Sequence, residues 1–448
     1  MSADAILIRG VRTFDGGVTD LLLRDGVIAE RGTGLAADDA AVIEADSLIA
    51  LPGFVDLHTH LREPGGEGAE TVLTGSRAAA AGGYTAVHAM ANTNPVADTA
   101  GVVEQVLAAG EAAGYVTVQP IGAITKGQAG EALADIGSMA TSRAKVRIFS
   151  DDGICVSDSL VMRRAMEYVK TFDGVIAQHA QDPRLTLGAQ LNEGPVSAEL
   201  GLAGWPAVAE ESIIARDIML AELTGARYHA CHVSTAGSVE LIRQAKAKGL
   251  PVTAEVTPHH LILTDELARG YNPFFKVNPP LRSAKDVEAV RAALADGTID
   301  IVATDHAPHK AEMKCCEWDQ AAMGMVGLES ALAVVQTAMV ETGLLDWAGV
   351  ARVMSQAPAR ISGLVGHGGS LQLGEAANLT LVDPAAEREF TTDELQGKGR
   401  NSPYLGRTVR GAVVTTIHHG IVTLRDGILT DPDTVAAQAR QRRAQEAR

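Results

Sequence analysis

The chain has 448 residues, 46% hydrophobic and 21% charged, and its 38 Lys and Arg against 55 Asp and Glu give a net charge of −17. This acidic balance argues against nucleic acid or an anionic membrane as the main partner, because both bind basic surfaces. Four cysteines are too few for a disulfide framework, residues 1–20 contain no apolar signal segment, and no apolar run is long enough to span a membrane. We therefore expect a globular, cytoplasmic protein.

The chain begins with short strand-like segments at residues 6–9, 21–24, 27–30 and 42–44. Asp25 and Gly26 separate two of them, which is the composition of a type I′ hairpin turn. Residues 1–52 are therefore predicted to form part of a small β domain.

Eight short apolar runs follow, separated by longer Ala-rich stretches of helical period. The predicted strands are 54–60, 84–90, 116–121, 146–150, 175–179, 227–233, 252–256 and 300–304, and the clearest helices are 71–81, 157–170, 235–248 and 284–295. No Gly-x-Gly-x-x-Gly turn follows the first strand, so eight βα units indicate a closed (β/α)8 TIM-type barrel, over 53–365, more than an open doubly wound sheet.

Strand-like segments return at 378–382, 409–417 and 421–424, and Asp426-Gly427 repeats the hairpin signal. We expect residues 366–430 to complete one small β-sandwich domain with residues 1–52; the alternative is two unrelated hairpins. Residues 431–448 form a polar tail, whose stretch 435–448 is predicted to be a frayed helix or disordered.

Polar residues that can bind a metal follow many of the predicted barrel strands, at the end where barrel enzymes place their sites. His58 and His60 lie two apart on one strand and so share a face. The other strand-end residues of this kind are Asp151, Asp152, His179, His232 and Asp305. Singly, such a histidine is more often a hydrogen-bonded core residue and such an aspartate a helix cap. Their joint placement favours a metal site that suits Zn²⁺ and is compatible with other divalent ions.

Two of the carboxylates suggest different roles. Asp152 could bridge two cations, which would then share a hydroxide that is present at neutral pH because metal binding lowers the pKa of water. Asp305 could accept a proton as this hydroxide attacks a carbonyl and return it to the leaving nitrogen. The pattern therefore predicts metal-assisted hydrolysis of an amide-type bond.

Six segments resemble the long-chain bacterial, aspartate-bridged dihydroorotases of the amidohydrolase superfamily. They are DLHTHLREPG at 56–65, ANTNP at 91–95, FSDDG at 149–153, CHVST at 231–235, KVNPPLR at 276–282 and ATDHAPH at 303–309. The first and last are specific, and the resemblance covers essentially the whole chain. It implies zinc-dependent, reversible hydrolysis of the cyclic amide of L-dihydroorotate to N-carbamoyl-L-aspartate, the third step of pyrimidine biosynthesis.

The resemblance also implies a role for each matching residue. Two Zn²⁺ ions per subunit would be bound, one by His58, His60 and Asp305 and the other by His179 and His232, with Asp152 and a hydroxide bridging them. The implied substrate contacts are Arg62, Asn92 and His309 to the carboxylate, and Asn278, Met323 and Gly324 to the ring, with His60 also facing the substrate.

Several alternatives remain open at this point. Hydantoinases resemble this plan but use a carboxylated lysine as the bridge, for which Lys145 is the rival, and the choice of Asp152 over Asp151 rests on the resemblance. Arg62 could instead form a surface ion pair with Glu63 or Glu67. The competing functions are an allantoinase or dihydropyrimidinase, and an inactive homologue that serves as a structural partner of aspartate carbamoyltransferase. A homo-oligomer, and a complex with that enzyme, are compatible with an active protein.

The remaining histidines carry no predicted role in the site. His88, His229, His306, His367, His418 and His419 are interpreted as packing or surface residues, and His259 and His260 as structural. Cys231 is expected in the core, because its side chain points away from that of His232. Residues 310–322, with Cys315, Cys316 and Trp318, are expected to close over the site.

Overall fold

The structure is a computed structural model that describes residues 5–446. It opens with five strands, β1 (Ala5–Thr13), β2 (Val18–Arg24), β3 (Val27–Gly32), β4 (Ala41–Glu44) and β5 (Ile49–Pro52). Asp25 and Gly26 both have positive φ angles, 52° and 78°, as the predicted type I′ turn requires. Strand β5 was not predicted, because its fully buried run leads directly into the next strand and shows no alternation.

The central part of the chain contains ten strands, eight of which form the barrel. They are β6 (Phe54–Thr59), β7 (Tyr84–Ala89), β8 (Thr117–Pro120), β9 (Ile148–Phe149), β10 (Val175–Gln178), β11 (Leu191–Asn192), β12 (Gly204–Trp205), β13 (Arg227–Ala230), β14 (Val252–Val256) and β15 (Ile301–Val302). Strands β11 and β12 pair only with each other, in a loop that the sequence did not reveal. The eight others lie within the predicted runs.

The barrel strands form two parallel ladders, β6-β7-β8 and β9-β10-β13-β14-β15. Parallel bridges between Gly122 and Phe149 and between Thr59 and His306 join the ladders on both sides and close the cylinder. Buried Asp56 strengthens the second junction, since its carboxylate accepts hydrogen bonds from the backbone and hydroxyl of Thr304 across the seam. The predicted closed (β/α)8 barrel is confirmed.

Helices surround the barrel and continue to the end of the described chain. They are α1 (Val72–Ala81), α2 (Ala100–Ala113), α3 (Ile136–Thr141), α4 (Ser159–Val169), α5 (Pro195–Leu200), α6 (Val208–Thr224), α7 (Ala236–Ala247), α8 (Ala284–Asp296), α9 (Ala311–Lys314), α10 (Ala331–Val335), α11 (Trp347–Ala351), α12 (Ala357–Ser362) and α13 (Pro432–Glu446). Helices α1, α4, α7 and α8 match the four predicted helices. Each begins after a side-chain cap, from Thr71, Asp158, Thr235 and Ser283 respectively.

The last strands are β16 (Leu379–Glu389), β17 (Thr408–His418), β18 (Ile421–Arg425) and β19 (Ile428–Leu429). They join the first strands in one sheet of order β19-β18-β17-β16-β5-β1-β2-β3, with β4 paired to β1. The antiparallel pairing of β16 with β5 excludes two unrelated hairpins. Asp426 and Gly427 have φ angles of 51° and 74°, so the second predicted turn is also confirmed.

The C-terminal segment was predicted to be either a frayed helix or disordered, and it forms a helix. Helix α13 packs against α2 and β18, and it buries Val435 and Ala439. Disorder over 435–446 was therefore wrong, and residues 447–448 lie outside the described part of the chain. Across residues 5–446, no helix is both long and apolar enough to cross a membrane.

Candidate metal centre

The predicted metal ligands converge at the C-terminal ends of the barrel strands. The six are His58 and His60 on and just after β6, Asp152 after β9, His179 after β10, His232 after β13 and Asp305 after β15, and all six are buried. His232 and Asp305 have positive φ angles, 32° and 46°, which non-glycine residues rarely adopt. Strain of this kind clusters at functional sites, where surrounding structure holds it.

Two histidines and two aspartates form the first group of ligand atoms. Asp305 Oδ1 lies 3.0 Å from His60 Nε2 and 3.5 Å from His58 Nε2. Asp152 approaches the same two nitrogens, with Oδ2 at 3.3 Å from His60 and Oδ1 at 3.2 Å from His58. Neighbouring ligand atoms about 2.1 Å from a tetrahedral ion are about 3.4 Å apart, so these spacings fit a shared cation.

Asp152 also belongs to a second group. Its Oδ1 lies 3.5 Å from His179 Nδ1 and 3.6 Å from His232 Nε2, and these two nitrogens are 2.7 Å apart. Asp152 is thus common to both groups, as a bridging carboxylate would be, with Oδ1 facing both groups and Oδ2 facing His60.

Two ligand atoms of this cluster lack a hydrogen-bond partner in the described part of the chain, and a cation could supply one. His58 Nε2 and Asp152 Oδ1 are buried and have no hydrogen-bond partner among the described residues. A buried polar atom without a partner costs roughly 1–3 kcal/mol. A divalent ion between them would give both atoms the partner that the protein does not supply.

Two outer residues fix the histidine rings. The Nδ1–H of His58 donates to Glu255 Oε1 at 2.6 Å, and the Nδ1–H of His60 donates to Asn92 Oδ1 at 2.9 Å. Each bond leaves Nε2 as the lone-pair nitrogen that faces the cluster, as metal-binding histidines require. Asn92 was predicted only as a carboxylate contact, so the structure adds this second task.

Asp151 and Asp152 are adjacent but serve different surroundings. Asp151 accepts hydrogen bonds from the backbone N–H groups of Ile124 and Thr125 and from the Thr125 hydroxyl. Its carboxylate therefore organises a loop, whereas that of Asp152 faces the histidines. Lys145 is exposed and lines a separate cavity with Arg147 and Gln119, away from the cluster. Neither rival occupies the bridging position.

The carboxylates give the cluster a strong preference for positive charge. Burial opposes ionisation of Asp152 and Asp305, yet the neighbouring histidines outweigh it; they hold the pKa of Asp152 well below its usual range and lower that of Asp305 to about 2. Burial also opposes a charge on His58, but Asp152, Glu255 and Asp305 raise its pKa well above the usual value. A field that favours a proton on His58 equally favours a metal cation.

A cavity of about 170 Å³ opens beside the cluster and contains the predicted substrate contacts Arg62, Asn92, Asn278, His309, Met323 and Gly324. The guanidinium of Arg62 is held by a hydrogen bond from Nε to the Pro308 carbonyl at 3.2 Å. Glu63 and Glu67 instead accept backbone N–H bonds from Val72 and Gly65. The described contacts therefore do not support the surface ion pair considered for Arg62.

His309 and Gly324 form one wall of this cavity. The Nε2–H of His309 donates to the Met323 carbonyl at 2.8 Å, and burial together with the charge of Arg62 lowers the pKa of His309 to about 3. Gly324 has a φ of 145°, and a Cβ there would lie 2.6 Å from His309 Nε2. The wall therefore requires glycine at position 324 and keeps the imidazole of His309 neutral.

Sequence reasoning missed two residues of the site. Glu255 lies within β14 and contacts His58, the backbone N–H of His232 at 3.2 Å and His229 Nε2 at 3.0 Å. Gln181 Oε1 accepts from Asn278 Nδ2 at 3.0 Å and from His179 Nε2 at 2.7 Å. A buried-strand glutamate in VTAEV was the one available signal, since an unpaired charge is rarely placed in a barrel interior.

The segment predicted to close over the site is anchored beside it. Lys314 is buried and its ammonium donates to the carbonyls of Lys276, Ala322 and Gly324 at 2.8–3.1 Å. Trp318 is buried, whereas Cys315 is exposed. Closure of residues 310–322 stays a prediction.

Comparison with known proteins gives a consistent picture. A family model described as dihydro-orotase-like matches residues 47–238. The chain is 67% identical over 431 residues to a dihydroorotase of Leifsonia xyli, covering 96% of this chain and 98% of the relative, and 63% identical over 424 residues to one of Streptomyces coelicolor, covering 95% and 99%. The solved L-hydantoinase (dihydropyrimidinase) of Arthrobacter aurescens superposes with a TM-score of 0.85 at 25% identity, covering 95% and 97%.

Proposed function

The chain belongs to the dihydroorotase family, and on that premise we propose that it catalyses the reversible, zinc-dependent hydrolysis of L-dihydroorotate to N-carbamoyl-L-aspartate. One observation carries the assignment of the chemistry to this site. Asp152 is shared by two groups of ligand atoms, and the cavity beside them is lined by the positively charged side chain of Arg62. A site that holds cations next to an arginine suits a cyclic amide that carries a carboxylate.

The ligand atoms support two ions per subunit. His58, His60 and Asp305 would hold one, His179 and His232 the other, and Asp152 both. Bound Zn²⁺ supplies a water of lowered pKa and polarises the carbonyl that is attacked. Nitrogen and carboxylate ligands of this kind suit Zn²⁺, although Co²⁺ and Ni²⁺ accept similar sets.

Asp305 is the proposed proton carrier. Its pKa of about 2 keeps it ionised at neutral pH, so it can accept the proton released as water attacks the ring carbonyl. The same carboxyl group then donates that proton to the ring nitrogen as the C–N bond breaks. In the synthetic direction, Asp305 takes the proton from the carbamoyl nitrogen of carbamoyl aspartate and returns it to the departing water.

Arg62 is the proposed anchor of the substrate carboxylate. Because Nε is held by the Pro308 carbonyl, its terminal nitrogens are available for two parallel bonds to a carboxylate. Asn92 and His309 complete this side of the cavity, and Asn278 and Gly324 line the ring side. The Asn278 carboxamide is oriented by Gln181, so its Oδ1, which is buried without a partner, can accept from a ring N–H.

The setting of the enzyme is also part of the proposal. The four cysteines are free, which fits a reducing cytoplasm. We propose a homo-oligomer that is able to associate with aspartate carbamoyltransferase, and light scattering of the protein alone and mixed with that enzyme tests both associations. The proposed domain limits are 1–52 with 366–430 for the sheet and 53–365 for the barrel.

The first experiment measures metal and activity together. The protein is purified with zinc supplied, its metal content is counted, and ring closure of carbamoyl aspartate is assayed beside ring opening of dihydroorotate, allantoin and dihydrouracil. We expect turnover of the dihydroorotate pair alone. Turnover of allantoin or dihydrouracil at a comparable rate would overturn the substrate assignment, and metal binding without any turnover would favour the inactive structural role.

A further inference from the structure

Three histidines that were interpreted as packing residues meet at the other end of the barrel. His367 lies in the loop after α12, and His418 and His419 lie where β17 turns into β18. Their side-chain ligand atoms all lie within 4.8 Å of one another. The hydroxyls of Thr85 and Thr117, near the beginnings of β7 and β8, contact this group, so it lies at the N-terminal end of the barrel. We call His367, His418 and His419 the histidine triad.

The rings of the triad lie slightly farther apart than those of the candidate metal centre. The ring centroids of the triad are 4.6, 5.6 and 6.1 Å apart. Three neighbouring ring pairs in the candidate metal centre span 4.6 to 5.4 Å. Two imidazoles bound to one tetrahedral ion have centroids about 5 Å apart, given a metal–nitrogen distance of about 2.1 Å. Small ring movements would therefore bring the triad onto one ion.

One hydroxyl stands between two of the rings. Thr117 Oγ1 lies 3.1 Å from His367 Nε2 and 3.0 Å from His418 Nε2. Both nitrogens therefore already point toward a common position. The Thr117 side chain would turn away to admit an ion at this position; two coordinate bonds would then replace the hydrogen bonds to its hydroxyl, and His419 would supply a third.

The protonation state of the triad suits a metal ion. Burial, with the neighbouring imidazoles, lowers the pKa of His367 to about 3 and that of His418 well below its usual range. Neutral imidazole is the form that binds metals. His367 and His419 are half-buried, and His418 and His419 line a cavity of about 230 Å³, so an ion has a route to them.

The chemistry of the surroundings limits which ion fits. The triad offers nitrogen ligands only, and the same cavity is lined by Arg442 and Arg443 of α13 and by Glu111 of α2, which pairs with Arg143. Hard ions such as Mg²⁺ and Ca²⁺ need oxygen ligands, whereas Zn²⁺ accepts imidazoles. We propose that the histidine triad binds one Zn²⁺ ion that joins the loop after α12 to the turn between β17 and β18, at the base of the barrel and independently of the catalytic metals.

The local backbone supports a role for the imidazoles beyond filling space. His419 occupies a left-handed turn position with a φ of 48°, followed by Gly420 at 77°, where asparagine or glycine is the usual choice. His367 is flanked by Gly366 and Gly368, whose φ angles are 82° and 69°. An ion held by these two turns and by β17 would bind the folded state only, and would therefore stabilise it.

The test compares variants that keep each turn. His419→Asn removes an imidazole but retains a residue that tolerates a positive φ, and His367→Gln removes a second imidazole. The matched control is Asp426→Asn, at the equivalent position of the next hairpin, with a φ of 51°. Each protein is stripped of metal, dialysed against micromolar Zn²⁺ and counted, and its melting temperature is measured with and without Zn²⁺. Co²⁺ replaces Zn²⁺ in a parallel series read by visible absorption.

We expect the wild-type protein and Asp426→Asn to bind one more equivalent of metal than His419→Asn and His367→Gln. The two histidine variants should lose part of the Zn²⁺-induced rise in melting temperature and one component of the Co²⁺ spectrum, with turnover unchanged. Equal metal counts in all four proteins would overturn the proposal, as would an extra equivalent that appears only at millimolar Zn²⁺. Circular dichroism of the metal-free variants identifies a folding defect. If one histidine variant has such a defect, the Co²⁺ spectrum of the other, folded variant tests whether the triad binds metal.

Discussion

The two histidine clusters lie at opposite ends of the same barrel, and their neighbours differ in kind. At the C-terminal end, imidazoles face Asp152 and Asp305, and outer residues such as Glu255 hold the rings so that buried atoms remain without partners. At the N-terminal end, the histidine triad contacts threonine hydroxyls and includes no carboxylate. Similar ring spacing thus occurs in two very different electrostatic environments.

This difference assigns a catalytic role to the first cluster and a stabilising role to the triad in the two proposals. Carboxylates hold cations tightly and Asp305 is the proposed proton carrier, so the first cluster is the proposed site of hydrolysis. The triad offers neutral ligands and has positive arginines nearby, so an ion there would bind more weakly and without a base beside it. We therefore expect changes in the first cluster to act on turnover and changes in the triad to act on stability.

The largest effect should come from the shared carboxylate. Asp152→Ala removes a ligand from both groups, so we expect metal content to fall and turnover to decrease on the order of 10³-fold or more, since metal stabilisation of the transition state is worth several kcal/mol. The checks are metal analysis and the dihydroorotate assay, with His419→Asn as the control from the other cluster. Wild-type turnover by Asp152→Ala would contradict the assignment of the bridge.

The next effect comes from the residue behind His58. Glu255→Gln keeps the size of the side chain but lets its amide present a donor to the ring, which weakens the control of the His58 tautomer. We expect zinc affinity and kcat to fall about 10–100-fold, with little change in KM. The control is Thr253→Val, which alters the far side of the same network through His229, where the contact is 2.8 Å. Unchanged zinc affinity in Glu255→Gln would show that the ring is held by packing alone.

Glu255 also shows which part of the site could be predicted from the sequence and which could not. Residues at strand ends, such as His58 and Asp305, were predictable because the barrel fixes where each strand ends. Glu255 and Gln181 were not, because they act by touching another side chain rather than by their position on the rim. The triad was equally hidden, since His367 and His418 are separated by 50 residues and meet only when the loop after α12 folds against the turn between β17 and β18.

The fold was predictable where one period dominated the pattern. The eight barrel strands and helices such as α1 have clear apolar runs and caps. Strand β5 was missed because Ile49–Pro52 is buried on both faces and merges with β6. The short pair β11 and β12 was missed because two residues per strand carry no periodicity.

A smaller effect is expected at the cavity wall, where affinity rather than chemistry is at stake. Arg62→Lys keeps the positive charge but loses the planar pair of donors. A charge-assisted bond is worth roughly 1.5–3 kcal/mol, so we expect KM for dihydroorotate to rise about tenfold or more while metal content stays constant. Arg164→Lys, on the exposed surface of α4, is the matched control. A fall in kcat with an unchanged KM would instead place Arg62 in the chemical step.

The smallest effect is expected on the pH dependence of stability, which distinguishes the triad from the candidate metal centre. Unfolded imidazoles take up protons near pH 6.5, whereas folded His367 stays neutral to about pH 3 because its pKa is lowered. The unfolded state therefore binds more protons between these values, so stability is lost as pH falls from 7 to 5. The charged groups that line the cavity beside His418 and His419 are Glu111, Arg442 and Arg443.

His367→Gln should make this pH dependence shallower. We expect the metal-free variant to lose less stability than the metal-free wild type between pH 7 and pH 5, by up to about 2 kcal/mol. Urea unfolding at both pH values measures the difference.

The lowered pKa values of Asp152 and Asp305 act below pH 4 and do not contribute in this window. His88, whose pKa is lowered to about 4 by burial, remains in both proteins and cancels in the comparison. Equal losses in the two proteins would mean that His367 is protonated as readily in the folded state as in the unfolded chain.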